Sequence, residues 1–172
     1  EILNFISWFV LLYEDEIDYL YYISNGLYIL SYTFLIIQIL KTMNIKKVFL
    51  KLHIHVIILF VLDVFCVSIV TSTTENQLGL YEYALEFTYN AVIMTLLSVA
   101  LINYIYRDDK KSMNLLVGSI FIVFSEVIQL AYFYVSEINF LNVLCSLFLV
   151  LAFLFFYLNA RLNHDEKHNV IG

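Results

Sequence analysis

Asp63 and Glu126 are the residues of this chain whose type and setting could do chemistry. Each is the only acid in a long apolar stretch, Val48 to Val70 for Asp63 and Met113 to Val135 for Glu126. A carboxylate in hydrocarbon costs about 2.5–3.5 kcal/mol or more, so each is expected to face other protein. Burial favours the neutral carboxyl, which donates a hydrogen bond. Two such groups on one cavity would serve as general acid and base, as steps of a proton relay, or as a polar ligand site. The competing role is structural, a protonated carboxyl tied to Ser, Asn or Tyr on a neighbouring helix. For either residue alone the sequence does not choose between them.

Other polar side chains extend this set. Ser125 and Gln129 flank Glu126, Gln129 three residues on and sharing its helical face, and Tyr132 falls on the Ser125 side. His55, Leu59 and Asp63 share one face, so His55, Asp63, Glu126 and Gln129 form a candidate proton path. The plainer role for His55 is to anchor a helix end at the membrane interface. His53 and His55 are two residues apart, point in nearly opposite directions on a helix, and cannot chelate together. No further histidine lies at a depth to pair with His55 across a haem. His164 and His168 are four apart, but Asp165 stands where the metalloprotease motif needs Glu. That segment reads as a solvated tail. There is no phosphate loop, no Ser-His-Asp set and no CxxC, and Cys66 and Cys145 read as buried free thiols. The expectation is no metal and no cofactor.

The elements that position these residues follow from composition. Of 172 residues, 62% are hydrophobic and 14% charged, with mean hydropathy +0.85. So little charge cannot cover so much apolar surface in water, and the lipid bilayer is the expected solvent. Five stretches are long enough to cross about 30 Å of hydrocarbon at about 1.5 Å per residue: 19–40, 48–70, 87–106, 113–135 and 138–160. Each must be helical, because only a helix satisfies its own backbone in lipid. Residues 2–13 reach only about 18 Å as a helix and are read as the end of a truncated sixth span. The fold class is therefore an all-α transmembrane bundle in one domain, with residues 161–172 as a tail. No basic patch suits nucleic acid.

All nine basic residues fall in three segments: Lys41, Lys46, Lys47 and Lys51; Arg107, Lys110 and Lys111; Arg161 and Lys167. The alternate connections carry Glu14, Asp15, Glu16 and Asp18, then Glu75 and Glu82, then Glu137. Basic loops stay cytoplasmic, which puts the C-terminus inside and makes the Asp63 and Glu126 helices parallel. Counted from the outer ends of their stretches, the two carboxyls fall at one depth, about 10–14 Å in. Short loops predict antiparallel hairpins between sequence neighbours. There is no proline, glycines number four, and GxxxG is absent, so unbroken helices are expected.

Two weaker patterns accompany these. A shift of 63 residues places Lys47 on Lys110, Ile57 on Ile120, Asp63 on Glu126 and Val64 on Val127, which suggests a repeat of two helix pairs. Ser24, Ser31 and Gln38, and Thr88, Thr95 and Ser98, form polar stripes of the kind that join helices. Tyrosines cluster at helix ends as interfacial belts.

Around the two acids, Phe60 to Val64 and Phe124 to Phe133, the chain resembles the YhhN family of lysoplasmalogenase-like membrane proteins. The Ser125–Glu126 pair and the following Leu130–Ala131 carry the likeness. Leu62 stands where the family has glycine, and Glu126 where it has aspartate. The resemblance implies a lipid vinyl-ether hydrolase with Asp63 and Glu126 as its acid/base pair.

The residues as a whole favour a non-catalytic integral membrane protein, an accessory subunit of a larger complex in a bacterial plasma (inner) membrane, with other membrane subunits as partners. The lipid hydrolase is the alternative, and proton or small-solute permeation the third reading.

Overall fold

A computed structural model describes residues 17–74, 78–134 and 138–171. The 2–13 stretch and the acids Glu14, Asp15, Glu16, Glu75 and Glu137 lie outside them. Five helices account for nearly all of the described chain: α1 Ile17–Thr42, α2 Ile45–Ser72, α3 Leu80–Arg107, α4 Lys110–Tyr134 and α5 Asn139–Ile171. All five are long and apolar enough to cross a membrane. The chain is a multi-pass integral membrane protein with an all-α bundle. Helix α3 begins seven residues earlier than the apolar stretch at 87–106, and α5 carries its backbone on through most of the tail.

Local chemistry marks the helix ends. Asn44 caps α2 by accepting from the Lys47 backbone N–H at 3.3 Å. Glu82, in the first turn of α3, reaches back to the Gly79 N–H at 2.8 Å. Helix α3 stops at Asp108, whose φ of 49° is left-handed and whose N–H bonds the Tyr104 carbonyl at 2.8 Å. Asp is one of the few residues other than Gly that tolerates this region. Asp109 then caps α4, accepting from the Ser112 N–H at 2.7 Å, and also accepts from Arg107 Nε at 2.9 Å. Partial burial pushes the Asp109 carboxyl up. The hydrogen bonds from Ser112 and Arg107, with the Arg107 charge, outweigh that and hold it below the ordinary carboxylate range.

The packing is a hub with one extension. Helix α3 packs extensively on α1, α2 and α4, and α5 packs on α4. Leu96 and Ala100 of α3 are fully buried, and around them gather Tyr32 and Ile39 of α1, Leu115 and Ile122 of α4, and Ala152 of α5. The α4–α5 contact is the closest. Gly118 lies directly under Phe156, where a Cβ would meet the ring at 2.7 Å. Phe121 sits between Phe148 and Phe155, each 5.7 Å away, and Asn159 Nδ2 donates to the Lys111 carbonyl at 2.7 Å.

One expectation fails. Helices α1 and α2 are joined by two residues, yet they do not form a packed hairpin and settle on α3 separately. Helix α3 offers the small buried residues Ser98 and Ala100 for close approach by its neighbours. The two halves of the 63-residue repeat therefore pack differently, since α3 and α4 do form a hairpin.

Helix α2 also departs from an unbroken form. Leu52 has φ −123° and ψ 22°, and a kink interrupts the helix there. No proline or glycine marks the place. Beyond it Ile54, Ile57, Ile58, Phe60, Val61, Leu62, Val64 and Phe65 are all exposed. A soluble monomer does not leave so long an apolar face open to water.

Candidate functional site

The two carboxyls singled out from the sequence settle on different parts of α3. Asp63 is half-buried and accepts from Ser98 Oγ at 2.8 Å. Glu126 is also half-buried and lies beside Tyr89, with which its carboxyl interacts. Ser98 and Tyr89 are nine residues apart on one helix, which is about 13 Å along the axis and half a turn around it. The structure thus separates Asp63 and Glu126, with Asp63 nearer the basic end of the bundle. Counting from the ends of the apolar stretches had put the two carboxyls at one depth.

Around Glu126 stands a polar cluster larger than the sequence suggested. Glu86 and Asn90, both buried, are joined by Asn90 Nδ2 donating to Glu86 Oε1 at 3.1 Å. Glu86 lies close enough to interact electrostatically with Glu126. Tyr89 also packs against Tyr32 of α1. The Tyr32 and Tyr89 rings are 6.2 Å apart, and Tyr28 stacks on Tyr32 at 6.3 Å. The cluster therefore links α1, α3 and α4 through two carboxyls, three phenols and an amide. Such a group can hold and pass a proton internally.

Space decides what else it can do. The cavity beside Glu126 and Asn90 is walled by Val67 and Val70 of α2 and by Ile93, Val123 and Leu130, and measures about 20 Å³. That is room for about one water molecule. Sites for small molecules run to roughly 300–1,000 Å³.

The remaining candidates point elsewhere. His55 is exposed, as is His53, while Asp63 turns to α3. Gln129 is partly buried beside Glu126's helix face. Ser125 faces away from the cluster and donates to the Cys145 carbonyl of α5 at 3.0 Å. Neither Cys66 nor Cys145 forms a disulfide among the described residues, and both are partly buried. In the polar stripes, Ser31, Thr88 and Thr95 bond their own helix backbone at i−4, and Ser98 is the member that crosses to a neighbour. The side chains of His164 and His168 lie outside the described residues.

Sequence reasoning missed Glu86, Tyr89, Asn90, Tyr28 and Tyr32. Placing the start of the span at Phe87 left Glu86 one residue outside it. The spacing was legible nonetheless: Glu86, Tyr89 and Asn90 stand at i, i+3 and i+4, and Tyr28 and Tyr32 at i and i+4. No protein-family model, no curated protein and no solved structure matches this chain.

Proposed function

We propose that this chain is a non-catalytic accessory subunit of a larger membrane assembly, set in a bacterial inner membrane with its basic helix ends and C-terminus cytoplasmic. The observation that carries the reading is the half-exposed Asp63 carboxyl. Acids inside a membrane face protein or a water-filled cavity. Helix α2 packs extensively on α3 alone, and the exposed residues beside Asp63 are Leu62 and Val64. Ser98 satisfies one carboxyl oxygen, and a neighbouring subunit covering the other side would complete the site. The small cavity at Glu126 supports the same reading, since it leaves the cluster as a tie between helices.

Purification in gentle detergent followed by native mass spectrometry tests this. A stoichiometric protein partner is expected, and its association is expected to weaken in Asp63→Leu. A stable monomer with no co-purifying protein would overturn the proposal.

A second reading is the lipid hydrolase that the YhhN resemblance implies; the resemblance gives it Asp63 and Glu126, and Glu86, which interacts electrostatically with Glu126, would stand in for the separated Asp63. It requires the helices to part and admit a lipid. Hydrolysis of lysoplasmalogen by the pure protein, lost in Glu126→Gln, would establish it.

A further inference from the structure

A cleft lies at the basic end of the bundle, away from the carboxyl cluster. It measures about 210 Å³ and is bounded by α1, α3, α4 and α5. Around it α1 packs on α3, α3 on α4 and α4 on α5, but α5 and α1 do not pack extensively on each other. The cleft therefore opens sideways between those two helices. Next to its wall residues there, Ile37 of α1 and Tyr157 of α5 are exposed.

Three properties of the wall define a ligand. First, Asn103 is 5% exposed, and its side-chain oxygen has no donor among the described residues. Leaving a buried acceptor unpaired is costly, so the cleft calls for an N–H or O–H from a guest. Second, that guest needs no charge. Arg107 gives its Nε to Asp109 at 2.9 Å, and Lys111 is itself engaged. Third, the polar wall carries carboxamides from three helices, Gln38 on α1, Asn103 on α3 and Asn159 on α5. A carboxamide both donates and accepts, as a hydroxyl does, so hydroxyls answer such a wall better than an amine. Leu115 and Phe156 supply an apolar side for the C–H face of a ring or short chain. Sites that engulf a whole small molecule run to roughly 300–1,000 Å³, so this cleft takes a head group and leaves the rest outside.

We propose that this cleft binds an uncharged polyhydroxyl group, such as a single sugar ring. One hydroxyl donates to Asn103 Oδ1, others exchange hydrogen bonds with Gln38 at the α1 wall, and the C–H face lies against Phe156. The binding is independent of whether the chain has a protein partner. The sugar head of a membrane glycolipid and a free sugar share this chemistry, and competition separates them. The sideways opening beside Ile37 and Tyr157 suits the glycolipid, whose acyl chains stay outside the bundle.

The test is a native mass spectrometry titration of the full chain with monoglucosyldiacylglycerol and with phosphatidylcholine, in an amine oxide detergent that carries no sugar. Phosphatidylcholine has a head group without a hydrogen-bond donor. The glucosyl lipid is expected to bind at least about tenfold more tightly. Asn103→Leu is expected to erase that preference, and Gln38→Leu, at an exposed position, to reduce it about threefold. Circular dichroism confirms that each variant keeps its helices. Should Asn103→Leu not fold, the preference of the wild type and its reduction in Gln38→Leu decide alone. Competition by free methyl glucoside would identify a soluble sugar as the ligand, and its failure to compete would identify the lipid. Equal binding of the two lipids, or a preference undiminished in Asn103→Leu or in Gln38→Leu, would overturn the proposal.

Discussion

Glu126 and Tyr89 are one unit, and their separation into two residues is a matter of measurement. With these side chains interacting, Tyr89→Phe and Glu126→Gln should each destabilise the bundle, and the double variant should cost less than their sum. A coupling of about 0.5–3 kcal/mol in a double-mutant cycle is expected for residues in direct contact. Additive effects would show that the interaction contributes nothing. At the basic end, Asp109 is the capping group of α4, and Asp109→Ala should cost about 0.5–2 kcal/mol of unfolding free energy. Its pH dependence has a definite sign. The folded carboxyl titrates below its unfolded value, so its contribution is complete above about pH 4 and is lost as pH falls through the folded value. The side chain is more than a third exposed, so solvent screening keeps that part small. Unfolding measured from pH 6 down to pH 2 should show a steeper loss in the wild type than in Asp109→Asn.

Between α4 and α5 the decisive residue is the smallest. A Cβ at Gly118 would meet the Phe156 ring at 2.7 Å and the Ala152 carbonyl at 3.3 Å, so the ring must move and the backbone cannot. Gly118→Ala is expected to destabilise the bundle by about 1–3 kcal/mol, and Gly118→Leu by more, read as a fall in thermal midpoint in detergent. A midpoint unchanged in Gly118→Leu would mean that the two helices do not pack as described. This glycine was visible in the sequence, but a lone Gly outside a GxxxG pattern says nothing about which helix it faces. The helices themselves were legible because lipid permits no alternative to them; the start of α3 was not, because its first two turns, with Glu82 and Glu86, lie outside the apolar run by which it was placed. The kink at Leu52 was not legible, since no Pro or Gly marks it. Nor were the partners of each helix, because apolar faces in lipid lack the polar–apolar contrast that orients helices in water.

At the scale of the molecule the same physics explains how the candidate site was read. A carboxyl in an apolar run is conspicuous, so Asp63 and Glu126 stood out. Their relation depended on which helix lay between them, and that helix was α3, inserted so that each acid met a different face. Glu86 was lost among the acids of a connection, although it sits buried one turn inside the protein. The hub arrangement also bears on how the molecule is made. Helices α1 and α2 are made before α3 and have no extensive contact with each other, so neither gains its packing on α3 until that helix enters the membrane. Until then the Asp63 carboxyl lacks its Ser98 donor. The arrival of α3 is the step at which insertion of these helices becomes folding.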